Sequence, residues 1–386
     1  MINKNEDDLN LKYIENNNRN LNWKFPFAPY PKNRVLLSKI ESGCERLFCK
    51  LNKVDASKLN ISEYNKRYFG DKVKTEKALI DNLQLYAYIL SWALHDIQKP
   101  IKDIVFMDYG GGHGMLALLA RETGVGTVIY NDIYDVSCED AKTIGNNIDS
   151  RADYYVHGTI DDVIKFVNKN SIKCDSVGNH DVIEHIYDIE DFIKKLSLLS
   201  KSHLQFFFTS GANNRNPFRR KKMIKKHLYV EYNDRVPEFG MKPTDATRAL
   251  FDVRKDIISK HSPDLKYWEV EELAKLTRGL VKNDIIEAVD LYKTKGIKPK
   301  GLSHPTNTCD PYTGNWFEHL MPHDYLIEQM EKNNFVSAIV PGYYSTLSSP
   351  VKNIIKKSMN LFIRKSGKYG MIIAPFFAIY GVKRNG

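Results

Sequence analysis

Between Ile104 and Ala120 the chain changes character twice. Ile104-Val105-Phe106-Met107-Asp108 is a short apolar run that ends in an acid. Tyr109 then leads into Gly110-Gly111-Gly112-His113-Gly114, and Met115-Leu116-Ala117-Leu118-Leu119-Ala120 resumes as an apolar, helix-forming segment. The first run has the pattern of a buried parallel strand. Glycines allow a tight turn and bring backbone amides close to a ligand. The helix that follows aims its positive N-terminus at the same place. A strand, glycine turn and helix in this order predict an α/β sheet with a nucleotide-type ligand at its edge.

The stretches that follow extend the pattern. Strands are expected at Ile104–Asp108, Thr127–Asn131, Asp153–His157, Asp175–Asn179 and Leu204–Thr209, with helices between them, notably Met115–Thr123 and Ile189–Ser200. Such alternation implies a parallel sheet with right-handed crossovers and helices on both faces. Ligands of these sheets bind beyond the carboxyl ends of the strands. Asp108, Asp132, Thr159-Ile160-Asp161 and Asn179-His180 all fall at such ends, so they converge on one crevice.

A dinucleotide-binding turn spaces its glycines G-x-G-x-x-G to serve a pyrophosphate. Here Asp108 precedes Gly110, Gly112 and Gly114 in a D-x-G-x-G-x-G arrangement. Thr127-Val128-Ile129-Tyr130-Asn131-Asp132 supplies a second strand that ends in an acid. Cys174-Asp175-Ser176-Val177-Gly178-Asn179-His180-Asp181-Val182-Ile183-Glu184-His185-Ile186 carries a D-V-I-E-H-I run. In these three stretches the chain resembles the class I S-adenosylmethionine-dependent methyltransferases, small-molecule and glycan-modifying members in particular, over roughly Ile104 to Ser210. The resemblance implies a Rossmann-like, doubly wound sheet, mostly parallel with an antiparallel edge. Phe335–Val340 and Phe376–Val382 would form that edge. It implies S-adenosyl-L-methionine as cofactor, held by Asp108, Gly110, Gly111, Gly112, Gly114, Asp132, Ile133, Thr159, Ile160, Asn179 and His180, with Asp132 on the ribose hydroxyls. A helix before the first strand would help to close the site. Thr75 to Ile97 has that pattern, with Thr75 as N-cap and Lys99-Pro100 beyond its end.

The 386 residues divide by pattern into four parts: an N-terminal arm and helical segment (1–74), the cofactor-binding core (75–211), a helical insertion (212–300), and a histidine-rich loop with the C-terminal part of the core (301–386). Residues up to Asn22 are rich in Asn and lack apolar periodicity, which predicts a loose arm. Trp23–Tyr30 has the makings of an extended docking segment. In the insertion, Gly211–Phe218 is turn-rich and a basic stretch follows it. Helices are then expected at Thr247–Lys260, Val270–Arg278 and Val281–Lys295. Insertions at strand carboxyl ends commonly determine the substrate, and a homo-oligomer interface is the alternative role. Val351–Lys365 is a basic amphipathic helix. It is expected to cover the sheet edge with its charges in water, the alternative being peripheral contact with an anionic membrane.

The polar start Met1–Asp8 lacks a secretory pattern, and five scattered cysteines lack paired metal spacing. Both point to a reducing cytoplasm. The net charge of +10 is compatible with a nucleic-acid partner. Amino-directed nucleic-acid methyltransferases carry a proline-containing turn after the fourth strand, however, and Asn179-His180-Asp181-Val182 has none. The expected acceptor is therefore a small molecule or glycan. An RNA methyltransferase and a catalytically silent scaffold are the alternatives. Transfer to a hydroxyl needs a base, and the candidates are His319, His180 and Asp181, with His185 and His323 nearby in sequence. His319 is preferred, because Gly301–Asp324 gathers histidines, acids and aromatics in one loop. A metal held by His304, Cys309, His319 and His323 would match no standard ligand spacing, so no metal is expected.

Overall fold

A computed structural model of the chain describes residues 30–200, 202–235, 246–301, 306–346 and 350–383. The arm up to Asn22, most of Trp23–Tyr30, and His304 lie outside the described residues. The chain forms two compact units. One comprises residues up to Val182, Glu190–Gly211 and His323–Gly386; the other comprises Ile183–Ile189 and Ala212–Pro322.

The first unit is built on a sheet. In chain order α1 (Arg34–Leu51), α2 (Glu63–Val73) and α3 (Glu76–Ala93) precede β1 (Val105–Tyr109), α4 (Met115–Thr123), β2 (Thr127–Asp132), α5 (Asp135–Asn147), β3 (Tyr154–His157), α6 (Ile160–Lys169), β4 (Ser176–His180), α7 (Ile189–Leu196) and β5 (Gln205–Ser210). The strands lie in the order β3-β2-β1-β4-β5 and are parallel throughout. Two further strands from the end of the chain, Phe335–Pro341 and Phe377–Lys383, complete the sheet. The later one pairs antiparallel with β5, and the earlier one lies outside it. This is the Rossmann-like fold expected from the motifs, and it places the switch in strand order between β1 and β4.

Helix α3 anchors the sheet. Its N-cap is Thr75, whose side chain accepts from the Ala78 N–H. Almost every residue from Leu79 to Ala93 is buried, as in a core helix rather than an amphipathic one. Trp92 stacks on Phe207, and Tyr88 meets the same ring edge-on. The helix stops at Ala93, four residues before the expected Ile97. The sheet explains this: Gln205 Nε2 donates to the Trp92 carbonyl at 2.6 Å and Ser176 Oγ to that of Ala93 at 2.5 Å. Side chains at the starts of β4 and β5 thus satisfy the terminal carbonyls that a helix leaves unpaired.

The second unit is helical. It contains α8 (Pro217–Tyr232), α9 (Leu250–His261), α10 (Tyr267–Leu276) and α11 (Lys282–Lys295). The basic stretch is the helix α8, capped by Asn216 accepting from Phe218 and Arg219, with Pro217 in the first turn. Val253, Ile257, Ile258, Val270, Leu273, Ile285 and Val289 form an apolar core. Beside it lies an ion pair that the periodicity does not announce. Arg254 and Glu231 are both fully buried and paired, Arg254 Nε also donates to the Ala274 carbonyl at 2.8 Å, and Arg278 Nε stands 3.7 Å from Glu231. Beyond this unit α12 (His323–Lys332), β6 (Phe335–Pro341), α13 (Pro350–Lys365) and β7 (Phe377–Lys383) return the chain to the sheet.

Glu231→Ala would leave two guanidinium groups without their buried counter-charge. The expected loss of stability is about 3–5 kcal/mol, read from the denaturant midpoint. A loss below about 1 kcal/mol would show that the pair does not hold these helices together.

Candidate active site

The glycine turn is locked by the residues on either side of it. Asp108 Oδ2 accepts the Ala117 N–H at 3.0 Å, which ties the end of β1 to the first turn of α4. Gly110, Gly112 and Gly114 have φ of 67°, 55° and 78°, the left-handed region that favours glycine. Gly111 is excluded from bearing a side chain for another reason. A Cβ there would stand 2.6 Å from the Tyr130 ring and 2.8 Å from Asp108 Oδ2. The Tyr130 hydroxyl donates to the Gly112 carbonyl at 2.5 Å. The Gly112 N–H donates to Asp132 Oδ2 at 2.9 Å, and the Tyr134 N–H donates to Oδ1 at 3.0 Å.

Asp108 is buried, and among the described residues it has one N–H donor and no cation beside it. Burial pushes its carboxyl up to about 7; the Ala117 N–H opposes the shift and the Asp132 charge adds to it. It is therefore poised to receive a positive group.

Helices α2 and α3 wall the turn with aromatic rings. A Cβ on Gly112 would be 3.6 Å from the Tyr68 ring, and that ring lies 5.0 Å from His113. Tyr64 stacks on Tyr68, and Lys72 Nζ stands 5.2 Å from the centre of the Tyr68 ring. From α3, Tyr86 presents its edge to both His113 and His180. Burial, with nearby carboxylates adding, raises the Tyr68 and Tyr86 phenols above their ordinary value, so both remain protonated donors. These wall residues escaped the sequence analysis. For the α2 residues the spacing Tyr64-x-x-x-Tyr68-x-x-x-Lys72 puts them on one helical stripe, though not over any particular glycine.

The end of β4 adds polar groups. Asn179 is fully buried, and neither side-chain polar atom has a hydrogen-bond partner among the described residues. His180 has Nδ1 3.0 Å from Thr209 Oγ1 and Nε2 3.3 Å from Asp181 Oδ2. Burial lowers its pKa, with Asp181 opposing. Asp181 adopts a left-handed φ of 51° and accepts the Gly211 N–H at 2.8 Å, while its side chain stays about half exposed. Ile133 is exposed directly after Asp132. The Gly158 N–H donates to the Asp132 carbonyl at 2.9 Å, which brings Thr159 and Ile160, the start of α6, beside it.

His319 belongs to the second unit, where Ile183–Ile189 and the histidine-rich loop hold each other. The Glu184 carbonyl accepts the His319 N–H at 3.0 Å, and His185 Nδ1 lies 2.7 Å from the Trp316 carbonyl. The His319 ring lies tilted against Trp316, 4.5 Å between centres, and donates Nδ1–H to the Thr306 carbonyl at 2.7 Å. Burial lowers its pKa, so the ring is neutral near pH 7. Asp310 is occupied in capping the N–H groups of Tyr312, Thr313 and Ala246. His323 lies in the sheet unit, its ring tilted against that of Phe377. Among the described residues no three His, Cys, Asp or Glu side chains group to hold a metal.

No family model matches the chain, and no curated protein does. Among solved structures it is similar to an S-adenosylmethionine-dependent methyltransferase from Mesorhizobium loti, at 11% identity over 76% of this chain and 96% of that one, with a TM-score of 0.36. It is similar to the plantazolicin methyltransferase BamL, solved with S-adenosylhomocysteine, at 9% identity over 90% and 98% of the two chains and a TM-score of 0.37. It is also similar to the CurJ carbon methyltransferase, at 8% identity over 90% and 67% and a TM-score of 0.38. Likeness at this level concerns the fold; what the site can bind follows from its own geometry.

The buried Asp108 makes a testable link to pH. Its pKa rises from an ordinary 3.8 to about 7 on folding, so burial disfavours the ionised form. The stability that the protonated carboxyl retains at low pH is lost as pH rises toward 7. Asp108→Asn keeps the acceptor for Ala117 without that cost. Its gain over wild type should be absent near pH 4, grow up to pH 7 and level off above it, reaching a few kcal/mol at most (about 1.4 kcal/mol per pKa unit). Denaturant unfolding of both proteins across this range is the measurement, and a difference independent of pH would contradict the assignment.

Proposed function

We propose that this chain is a methyltransferase that uses S-adenosyl-L-methionine and acts on a small molecule or glycan, with transfer to oxygen favoured over nitrogen. The observation that carries the proposal is the acidic character of the glycine turn. Asp108 is buried without a cation among the described residues, and Asp132 accepts the Gly112 N–H. A cofactor that is positive at this end, with an ammonium and a sulfonium, supplies the missing charge. A dinucleotide would set its pyrophosphate against the same carboxylate. The unpartnered amide of Asn179 offers a further donor and acceptor, so the residues present fit the cofactor. In this assignment Asp132 takes the ribose hydroxyls, and Ile133, Thr159 and Ile160 flank the base. The glycines, with Asn179 and His180, line the amino-acid end.

When bound, the cofactor supplies an electrophilic methyl group that carries its own leaving group. What remains for the chain is alignment, exclusion of water and removal of a proton from a hydroxyl acceptor. The aromatic wall of Tyr64, Tyr68 and Tyr86 serves the first two. For the third, His180 has both ring nitrogens engaged, by Thr209 and Asp181, and so orients Asp181 rather than taking the proton itself. His319 donates Nδ1–H to a carbonyl, which makes Nε2 its basic nitrogen and keeps the ring neutral. His319 is the preferred base, and Asp181 with His180 is the second candidate. The five cysteines are all unpaired, in keeping with the cytoplasmic location we assign.

Calorimetric titration tests the cofactor. S-adenosylhomocysteine should bind and NAD should not; the reverse would end the proposal. Hydrogen bonds to charged groups contribute about 1.5–3 kcal/mol, so Asp132→Ala should weaken binding roughly ten- to a hundredfold. An unchanged dissociation constant would put the ribose elsewhere.

The base is tested by S-adenosylhomocysteine formation over a panel of hydroxylated small molecules and glycans. His319→Ala should lower turnover by about 10²–10⁴ with cofactor affinity unchanged. In the wild type, the acid limb of turnover should lie below the ordinary imidazole value of 6.5. If His319→Ala is fully active and Asp181→Asn is not, the base is Asp181.

A further inference from the structure

Helix α13 is turned the wrong way round for an ordinary surface helix. Val351, Ile354, Ile355, Leu361 and Phe362 recur at three- and four-residue spacing, which places them on one face. That face looks outward, and its five side chains are 45–70% exposed. The residues buried on the inward side are Asn360 and Ile363. Asn360 exchanges two 2.8 Å hydrogen bonds with the Tyr344 backbone. The charges of this helix stand in water, as expected, but its apolar face does too instead of covering the sheet edge. A polar asparagine docks it, and its apolar stripe faces solvent. Tyr369 and Ile372, in the turn at Gly367–Ile372, are exposed as well.

The charge of the surrounding chain indicates what covers this face. No aspartate or glutamate occurs after Glu331, whereas nine lysines and arginines do. Lys352, Lys357 and Lys365 of α13 and Lys368 just beyond it are exposed. An exposed apolar stripe with basic side chains, in a stretch of sequence that has no acidic ones, fits an interfacial helix, whose apolar face enters the acyl boundary while its cations meet lipid phosphates. Among the described residues no helix is long and apolar enough to cross a membrane, so such a helix lies on the bilayer.

We propose that α13 is a peripheral membrane anchor that seats this chain on a bilayer surface rich in anionic lipid. The anchor is independent of the proposed chemistry and needs no cofactor. Flotation of the full chain with phosphatidylcholine vesicles, with and without phosphatidylglycerol, is the test. The protein should float with the anionic vesicles and largely stay behind with the neutral ones. Ile354→Asp with Phe362→Asp should lower vesicle partition by about 10²–10⁴, from about 1.5–3 kcal/mol for each of the two buried large side chains. Lys352→Glu with Lys365→Glu should lower it at least fivefold per site, since each cation near an anionic surface contributes about 1 kcal/mol.

All four positions are exposed, so thermal unfolding should match wild type. If the aspartate pair fails to fold, the lysine pair decides. No flotation with anionic vesicles, or equal flotation of the folded aspartate variant, would overturn the proposal. A lipid-free dimer that the aspartate pair abolishes, with no flotation, would make a second copy of the chain the occupant. Binding of single-stranded RNA that only the lysine pair weakens, again without flotation, would make it a nucleic-acid surface.

Discussion

Among the described residues the carboxylate of Asp108 has a single N–H for company inside the protein, and the glycine turn at the end of β1 is arranged around it. Its hydrogen bond to Ala117 fixes where α4 begins relative to β1. Its nearness leaves no room for a side chain on Gly111, and the ring of Tyr130 closes the same space from β2. Tyr130 then holds the Gly112 carbonyl while Asp132 holds the Gly112 amide. One residue of the turn is thus gripped through both of its backbone groups by the second strand. A buried acid whose charged form burial disfavours is a standing invitation to a cation.

The sheet supplies only one side of this site. The other comes from α2 and α3, whose rings lie over the turn and beside His180. Their placement depends on anchors far from the chemistry. Ser62 caps α2, and both Ser62 and Asn65 bind Asp140 of α5. The last carbonyls of α3 are bonded by Gln205 and Ser176. A wall pinned at both ends holds its tyrosines in register with the glycines.

The helical unit follows a different physical plan. Its interior includes a charged pair as well as an apolar core, and its histidine-rich loop is held by backbone carbonyls and amides as well as by the buried Leu320 and Met321. Such an interior resists sliding, because displacement would strand a buried charge or an amide. That rigidity suits a loop that carries a proposed base. His227, buried in the same unit with its pKa lowered to about 3, stays neutral and serves as an acceptor for the Thr308 N–H.

The sequence by itself determined the sheet and the turn. Strand and helix alternation from Ile104 to Ser210 is a local signal of period and punctuation, and D-x-G-x-G-x-G records a backbone shape that only glycine tolerates. Asp108 and Asp132 could be named because they stand at strand ends, where topology alone puts them beside a ligand. Tertiary structure decided the rest. Tyr68, Lys72 and Tyr86 lie on helices that come before the sheet, and no local pattern says which ring will lie over Gly112. The pairing of Glu231 with Arg254 joins residues on different helices, and charges of this kind are indistinguishable in sequence from solvated ones. For α13 the periodicity identified the apolar face, but not its direction. A helix turns that face inward only if something apolar is there to receive it, and in this fold the inward position was taken by Asn360 and the backbone of Tyr344.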